Sequence, residues 1–244
     1  MPHETHETHE EEGMDEIAPG IWRWTARHPE WRTRTEWGHE VASFALVGDG
    51  LTLVDPLLPA PGTPARGTVD DALEHLARDA SRIDIMITIP YHARSAEELA
   101  ARYRDALPTA VWGHRAVARR FTDPATSLQV IEPGRPVADV ALALPIGKPR
   151  RFETPLYFAD HRALAFGDAV IGFEGTLRVW QQAATDRHWH EHVFLPTMRP
   201  LLDLDVERVL VTHGPSVLRH GREALRDAMA AAMWDYPRHE VAPG

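Results

Sequence analysis

The chain contains no cysteine. That excludes a disulfide framework, a thiolate metal site and a cysteine nucleophile together. Lysine is almost missing too: Lys148 is the only one, and every other basic side chain except histidine is an arginine. With the many alanines, this reads as genomic base composition rather than mechanism. No apolar run is long enough to span a bilayer, so no membrane partner is expected. No basic N-terminus followed by an apolar core opens the chain, so no secretory signal is expected and a cytoplasmic address is the default. A formal charge of −10 argues against a nucleic-acid surface, because holding phosphates needs clustered cations. A G-x-S-x-G elbow, a P-loop and a G-x-G-x-x-G fingerprint are also absent, which removes the main serine-hydrolase and nucleotide-binding alternatives. The expectation left standing is a monomer or homodimer whose partner is a small-molecule substrate or ligand.

The 244 residues, 43% of them hydrophobic, are enough to fill a large core. Residues 1–13 cannot contribute to it. They form a His/Glu repeat with no apolar residue after Met1, expected to be disordered and to be a purification tag ahead of a native start at Met14. Removing its five glutamates takes the net charge from −10 to −5. Residues 14–244 show no internal repeat or composition break and read as a single domain.

The organising stretch runs from Ile83 to Leu107. Ile83, Ile85, Ile87 and Ile89 alternate in an apolar run too short for a helix, which predicts a buried strand. Pro90 ends it, since proline cannot donate to a ladder. Ser95 followed by Glu98 is a capping-box pattern, and Leu99, Tyr103 and Leu107 recur at helical spacing behind it. The product is a turn carrying Tyr91, His92 and Arg94, with a helix N-terminus, which favours negative charge, aimed back at it.

Around this stretch the chain is mostly strand. Residues 17–58 read as β-structure: Ile21, Trp22 and Trp24 open it, and Trp31 and Trp37 follow. A hairpin from Val41–Val47 to Leu51–Val54 turns at Gly48-Asp49-Gly50. Thr68 is expected to cap a helix with Val69, Leu73, Leu76 and Ala80 on one face. Ala110–Gly113 and Ser127–Ile131 read as strands either side of a short helix over His114–Phe121. Val140, Leu142, Leu144 and Ile146 alternate as in a half-buried strand, and Leu156–Phe158 with Ala163–Phe166 form a second hairpin. Residues 173–195 read as irregular, and Arg208–Val211 as a strand before a closing helix over Glu223–Met233. Two batches of strands, each with helices attached, suggest an α/β (α+β) fold of two packed sheets with helices outside, an αββα four-layer sandwich.

Four apolar strands end on one ionisable residue each: Asp55, His92, Asp168 and His213. Strand ends followed by loops are where folds place functional groups. The order Leu53-Val54-Asp55, a strand entering a His-containing turn and helix, Phe166-Gly167-Asp168, and Val211-Thr212-His213-Gly214 resembles the metallo-β-lactamase fold superfamily over roughly residues 17–230. The resemblance implies the αββα sandwich and a metal-binding cleft between its sheets. There the family activates water to hydrolyse lactams, thioesters, esters, lactones or phosphodiesters; some members are oxidoreductases.

The family's H-x-H-x-D-H signature does not carry over. Aligned on Thr88, its ligand positions hold Ile89, Tyr91, Ala93 and Arg94. The further histidine due near Pro145–Arg151 is missing as well. What the resemblance leaves is His92, Asp168 and His213, an N₂O set that could hold one divalent ion (zinc, iron or manganese), mononuclear at most, since a zinc site needs about three protein ligands plus water. In a reduced or metal-free centre His92 would act as general base. Arg94 with the helix N-terminus at Ser95 would stabilise an oxyanion, and Tyr91 lies beside them. The loop the family uses for substrate contacts falls on 173–195, which makes Trp180 and His190 substrate-binding candidates together with Ser95. His188 and His192 would share a helix face, a known metal spacing, but without the H-E-x-x-H order they read as a pocket rim. His39 and His114 count as structural histidines. Two functions stay open: a hydrolase acting on a small acyl substrate, and a non-catalytic relative that binds a small molecule.

Overall fold

The computed structural model describes residues 13–29, 31, 38–147, 152–179, 188 and 190–231. The His/Glu repeat through residue 12, Lys148, Trp37, Trp180, Trp189 and Met233 lie outside them.

The first sheet has seven strands in chain order: β1 (Met14–Ala18), β2 (Ile21–Arg27), β3 (Glu40–Val47), β4 (Leu51–Val54), β5 (Ile83–Ile87), β6 (Thr109–Gly113) and β7 (Leu128–Val130). β1 to β4 run antiparallel, and β3 meets β4 across the Gly48-Asp49-Gly50 turn. β4 to β7 run parallel, which demands long crossovers. Two of these are helical: α1 (Pro64–Ala77) before β5 and α2 (Ala96–Tyr103) before β6. The second sheet is ordered β14 (Arg208–Val211), β11 (Ala163–Phe166), β10 (Leu156–Phe158), β9 (Ala141–Ala143), β8 (Pro136–Val137). A separate ribbon pairs β12 (Val170–Phe173) with β13 (Thr176–Val179), so the start of the stretch expected to be irregular is a hairpin.

Alternating side chains divide the interior into three cores. Leu51, Leu53, Ile83, Ile85 and Ile87 point outward from the first sheet onto Val69 and Leu73 of α1 and Leu99 and Tyr103 of α2. Their neighbours Val54 and Met86, with Phe44, point the other way and meet Leu156, Phe158, Ala163, Ala165 and Leu210 between the sheets. On the far side of the second sheet, Leu164, Phe166, Val209 and Val211 pack on Met198 of α3 (Leu195–Met198) and on Leu225 and Ala228 of α4 (Gly221–Ala230). The layering is helix, sheet, sheet, helix, as expected. The strand expected over Val140–Ile146 is confined to β9, where Ala141 and Ala143 face the inter-sheet core and Leu142, partly buried, joins the outer one. Among the described residues no helix is long and apolar enough to cross a membrane.

Two caps differ from expectation. Thr63, not Thr68, caps α1: its side chain accepts from Arg66 N–H at 3.2 Å, with Pro64 at the first helical position where a missing donor costs nothing. Thr68 lies inside the helix, its hydroxyl donating to the Pro64 carbonyl. Ser95 stands at the N-cap of α2 without capping it; its hydroxyl instead accepts from Leu58 N–H at 3.0 Å. Glu98, the other half of the expected box, pairs with Arg66.

Candidate metal centre

Asp55 closes β4 in a left-handed conformation, φ 48°, that aims its carboxylate at the next strand end. The posture costs on the order of 1 kcal/mol or more and needs support. Ser43 gives some, donating to the Asp55 carbonyl and accepting from Leu57 N–H, while Trp24 Nε1 donates to the Leu57 carbonyl. The buried carboxylate then accepts three hydrogen bonds: Thr88 N–H at 2.8 Å, Thr88 hydroxyl at 2.5 Å, and His92 Nδ1 at 2.9 Å. Holding the Nδ1 proton turns His92 Nε2 toward the loop after β11, where it lies 3.3 Å from Asp168 Oδ1. His213, at the end of β14, approaches the same oxygen with its Nε2 at 3.3 Å. The side chains of Asp55, His92, Asp168 and His213 thus meet, with Asp55 orienting His92.

His92, Asp168 and His213 are buried, and each offers a donor atom within 4.8 Å of the other two. Around a tetrahedral ion with bonds of about 2.0–2.2 Å, donor atoms stand roughly 3.3–3.6 Å apart. The two 3.3 Å separations at Asp168 fit that edge, so the trio could hold one ion. Electrostatics agree. Burial disfavours the charge on Asp168, but His92 and His213 outweigh it and hold the carboxyl well below the usual range. Burial and Arg94 work against protonation of His92, yet Asp55 and Asp168 raise its pKa. For His213 burial prevails and the pKa falls. A cation would compete with protons for these donor atoms.

Glycines let these loops approach. A Cβ on Gly167 would stand 2.6 Å from Thr88 Oγ1 and 3.5 Å from His92 Cε1. A Cβ on Gly172 would fall 1.9 Å from the Pro215 carbonyl oxygen, and one on Gly214 2.1 Å from that of Gly172; the Gly172 N–H donates to the His213 carbonyl at 2.8 Å. Glu153 fixes the other side of Asp168, its two carboxylate oxygens accepting from Gly167 and Asp168 N–H at 3.0 and 3.1 Å. Burial and the charge of Asp168 push Glu153 up to about 7. Sequence reading missed Glu153 entirely. Only the fold brings it to a loop fourteen residues on, and no spacing signalled it.

The remaining candidates divide. Arg94 is at the site: Asp55 and Asp168 are close enough to favour its charge, while burial lowers its pKa to about 10. Tyr91 is turned outward, its ring 62% exposed under the guanidinium of Arg120, and among the described residues no hydrogen bond links it to the trio. The Ser95 hydroxyl is committed to Leu58 and does scaffolding work. Trp180 lies outside the described residues. His190 is buried in a π-helical turn against Phe194, whose ring belongs to the outer core. His188 and His192 do meet, as stacked rings 4.3 Å apart, but they are not part of a three-donor cluster among the described residues. His114 is structural: its Nδ1 accepts from Ala116 N–H.

No family model matches the sequence, and no curated protein does. Solved structures match the fold over most of the chain. A metallo-β-lactamase family protein from Thermus thermophilus shares 17% identity at a TM-score of 0.57, covering 88% of this chain and 80% of that one. A β-lactamase domain protein from Burkholderia ambifaria shares 14% at 0.61, covering 90% and 72%. A metal-soaked Flv1 flavodiiron core from Synechocystis shares 14% at 0.58, covering 89% and 59%. The chain has the metallo-β-lactamase fold, and identities this low carry the fold alone.

Proposed function

We propose that this chain is a hydrolase-like protein that acts on a small acyl compound (an ester, lactone or thioester) at a reduced, mononuclear metal centre formed by His92, Asp168 and His213. The observation that carries the reading is the convergence of three buried donor atoms within 4.8 Å, with the remaining nitrogen of His92 pinned by Asp55. Solved neighbours named as metallo-β-lactamases and as a flavodiiron core support the metal. A bound divalent ion would supply a water of lowered pKa at neutral pH. Asp55 fixes the tautomer of His92, the support that strengthens a histidine as ligand or base. Asp168 orients both imidazoles, and Glu153 holds the Asp168 loop. The protein is cytoplasmic on this reading, a monomer or homodimer with no nucleic-acid partner.

The test is elemental analysis of protein lacking residues 1–13, whose own histidines would confound it, alongside turnover of an ester, lactone and thioester panel. Wild type should carry one ion per chain and turn over at least one substrate; His92→Ala and Asp168→Asn should lose both while staying folded. Unchanged metal content and activity in both variants would overturn the proposal. A second reading, a non-catalytic small-molecule binder, draws support from the residues at the family's ligand positions, Ile89, Tyr91, Ala93 and Arg94. It expects no metal and no turnover, but thermal stabilisation by a ligand.

A further inference from the structure

Arg94 has more hydrogen-bonding capacity than the protein uses. A guanidinium carries five N–H donors. Among the described residues one bond is made, from Nη1 to the Asp55 carbonyl at 3.3 Å, and the buried Nε has no partner there. Nor does Arg94 make an ion pair with any described residue, although it lies beside two carboxylates. Those carboxylates are already served: Asp55 by Thr88 and His92, Asp168 by His92 and His213. The contacts of these carboxylates are therefore made without this guanidinium. Yet the backbone is distorted to place it, with Arg94 at φ 35°, ψ −114°, a conformation that a side chain rarely adopts. Arginine's planar fork matches carboxylate and phosphate oxygens bidentately, and it is held half-buried, where such a pair is stronger than in water.

We propose that the ligand of this site carries an anionic group, a carboxylate or a phosphate, and that Arg94 receives it. This assigns Arg94 to recognition of a charge the ligand already has, not to an oxyanion that develops during reaction. The inference rests on the proposed reading of the trio and its surroundings as a ligand site and not on the metal, so it holds for a hydrolase and for a binder alike.

Calorimetric titration of tag-free protein tests it, with inorganic phosphate and benzoate as anionic probes and methyl benzoate as the uncharged control. Titrations with zinc chelated isolate Arg94 from direct metal ligation, and a parallel set with zinc added reads the metal separately. At least one anion should bind wild type, and Arg94→Gln should weaken it about tenfold or more while leaving methyl benzoate unaffected. Preference for phosphate or for benzoate identifies which anion the site is built for. Arg94→Gly removes the guanidinium while relieving the left-handed backbone, so it guards against a misfolded glutamine variant and should show the same loss. Failure of both anions to bind wild type, or equal binding by the folded variants, would overturn the proposal whatever the zinc content turns out to be.

Discussion

On one side of the site, the segments after Asp168 and His213 are pressed backbone on backbone. Gly172 and Gly214 meet with no room for a methyl group between them, and the Glu153 carboxylate holds the Gly167-Asp168 turn beside them. On the other side, the turn from Ile89 to Ser95 is held by side chains: Asp55 grips Thr88 and His92, and Ser95 grips Leu58. The two sides should tolerate substitution differently. Close-packed backbone leaves no room for a side chain at Gly172 or Gly214. A turn held by side-chain bonds depends instead on the residues that make them, here Asp55, Thr88 and Ser95.

The sharpest break in this comparison is at the shared oxygen. Asp168→Asn should lower metal affinity by more than about 100-fold, since even residues that merely support a ligand cost about 10–100-fold when mutated. Zinc titration checks it, and affinity within tenfold of wild type would detach Asp168 from the centre.

The two halves can then be set against each other by stability. Asp55→Ala leaves Thr88 and His92 donors unpaired in the interior and should cost about 3–5 kcal/mol. Gly172→Ala forces two backbone segments apart and should cost about 2–3 kcal/mol. Urea unfolding measures both. A neutral Gly172→Ala would mean that the glycine side is not clamped at all.

The pH dependence of the metal-free protein isolates Glu153. Its pKa rises from 4.5 unfolded to about 7 folded, so its stabilising contribution is complete below 4.5 and lost as pH climbs through 7. His213, with a lowered pKa, pulls the opposite way up to 6.5. Comparison with Glu153→Gln removes that background: the variant should gain on wild type between pH 4.5 and 7 in thermal melts. Parallel curves would show that Glu153 does not titrate as the site requires. The smallest effect belongs to Ser95. Ser95→Ala should cost about 1 kcal/mol by stranding Leu58 N–H, whereas Thr68→Ala, inside α1, should change stability little.

Much of this was legible before folding. The hairpin at Gly48-Asp49-Gly50, the strand of Arg208–Val211 and the pair Leu156–Phe158 and Ala163–Phe166 all appear as read, because two-residue alternation and turn chemistry are local. Caps were less legible. Thr63 and Thr68 carry the same side chain, and the choice between them depends on where the proline-rich loop enters the helix. Ser95 has a good capping sequence but spends its hydroxyl on Leu58, thirty-seven residues away along the chain. Tyr91 looks like a site residue by adjacency, yet in the short turn Pro90–Ala93 it faces solvent while His92 beside it is buried.

The amino-acid order by itself set most of the strands, their division into two batches, and the places of Asp55, His92, Asp168 and His213 in the segments that follow four of them. Periodicity and turn residues encode those features within a few positions. Packing alone brings these residues together, lets Asp55 orient His92 and Glu153 support Asp168, and leaves Arg94 with donors unused among the described residues. Each of those is a distance between residues far apart in the chain. Such distances are set by how two sheets pack, and by how closely glycine lets their loops approach.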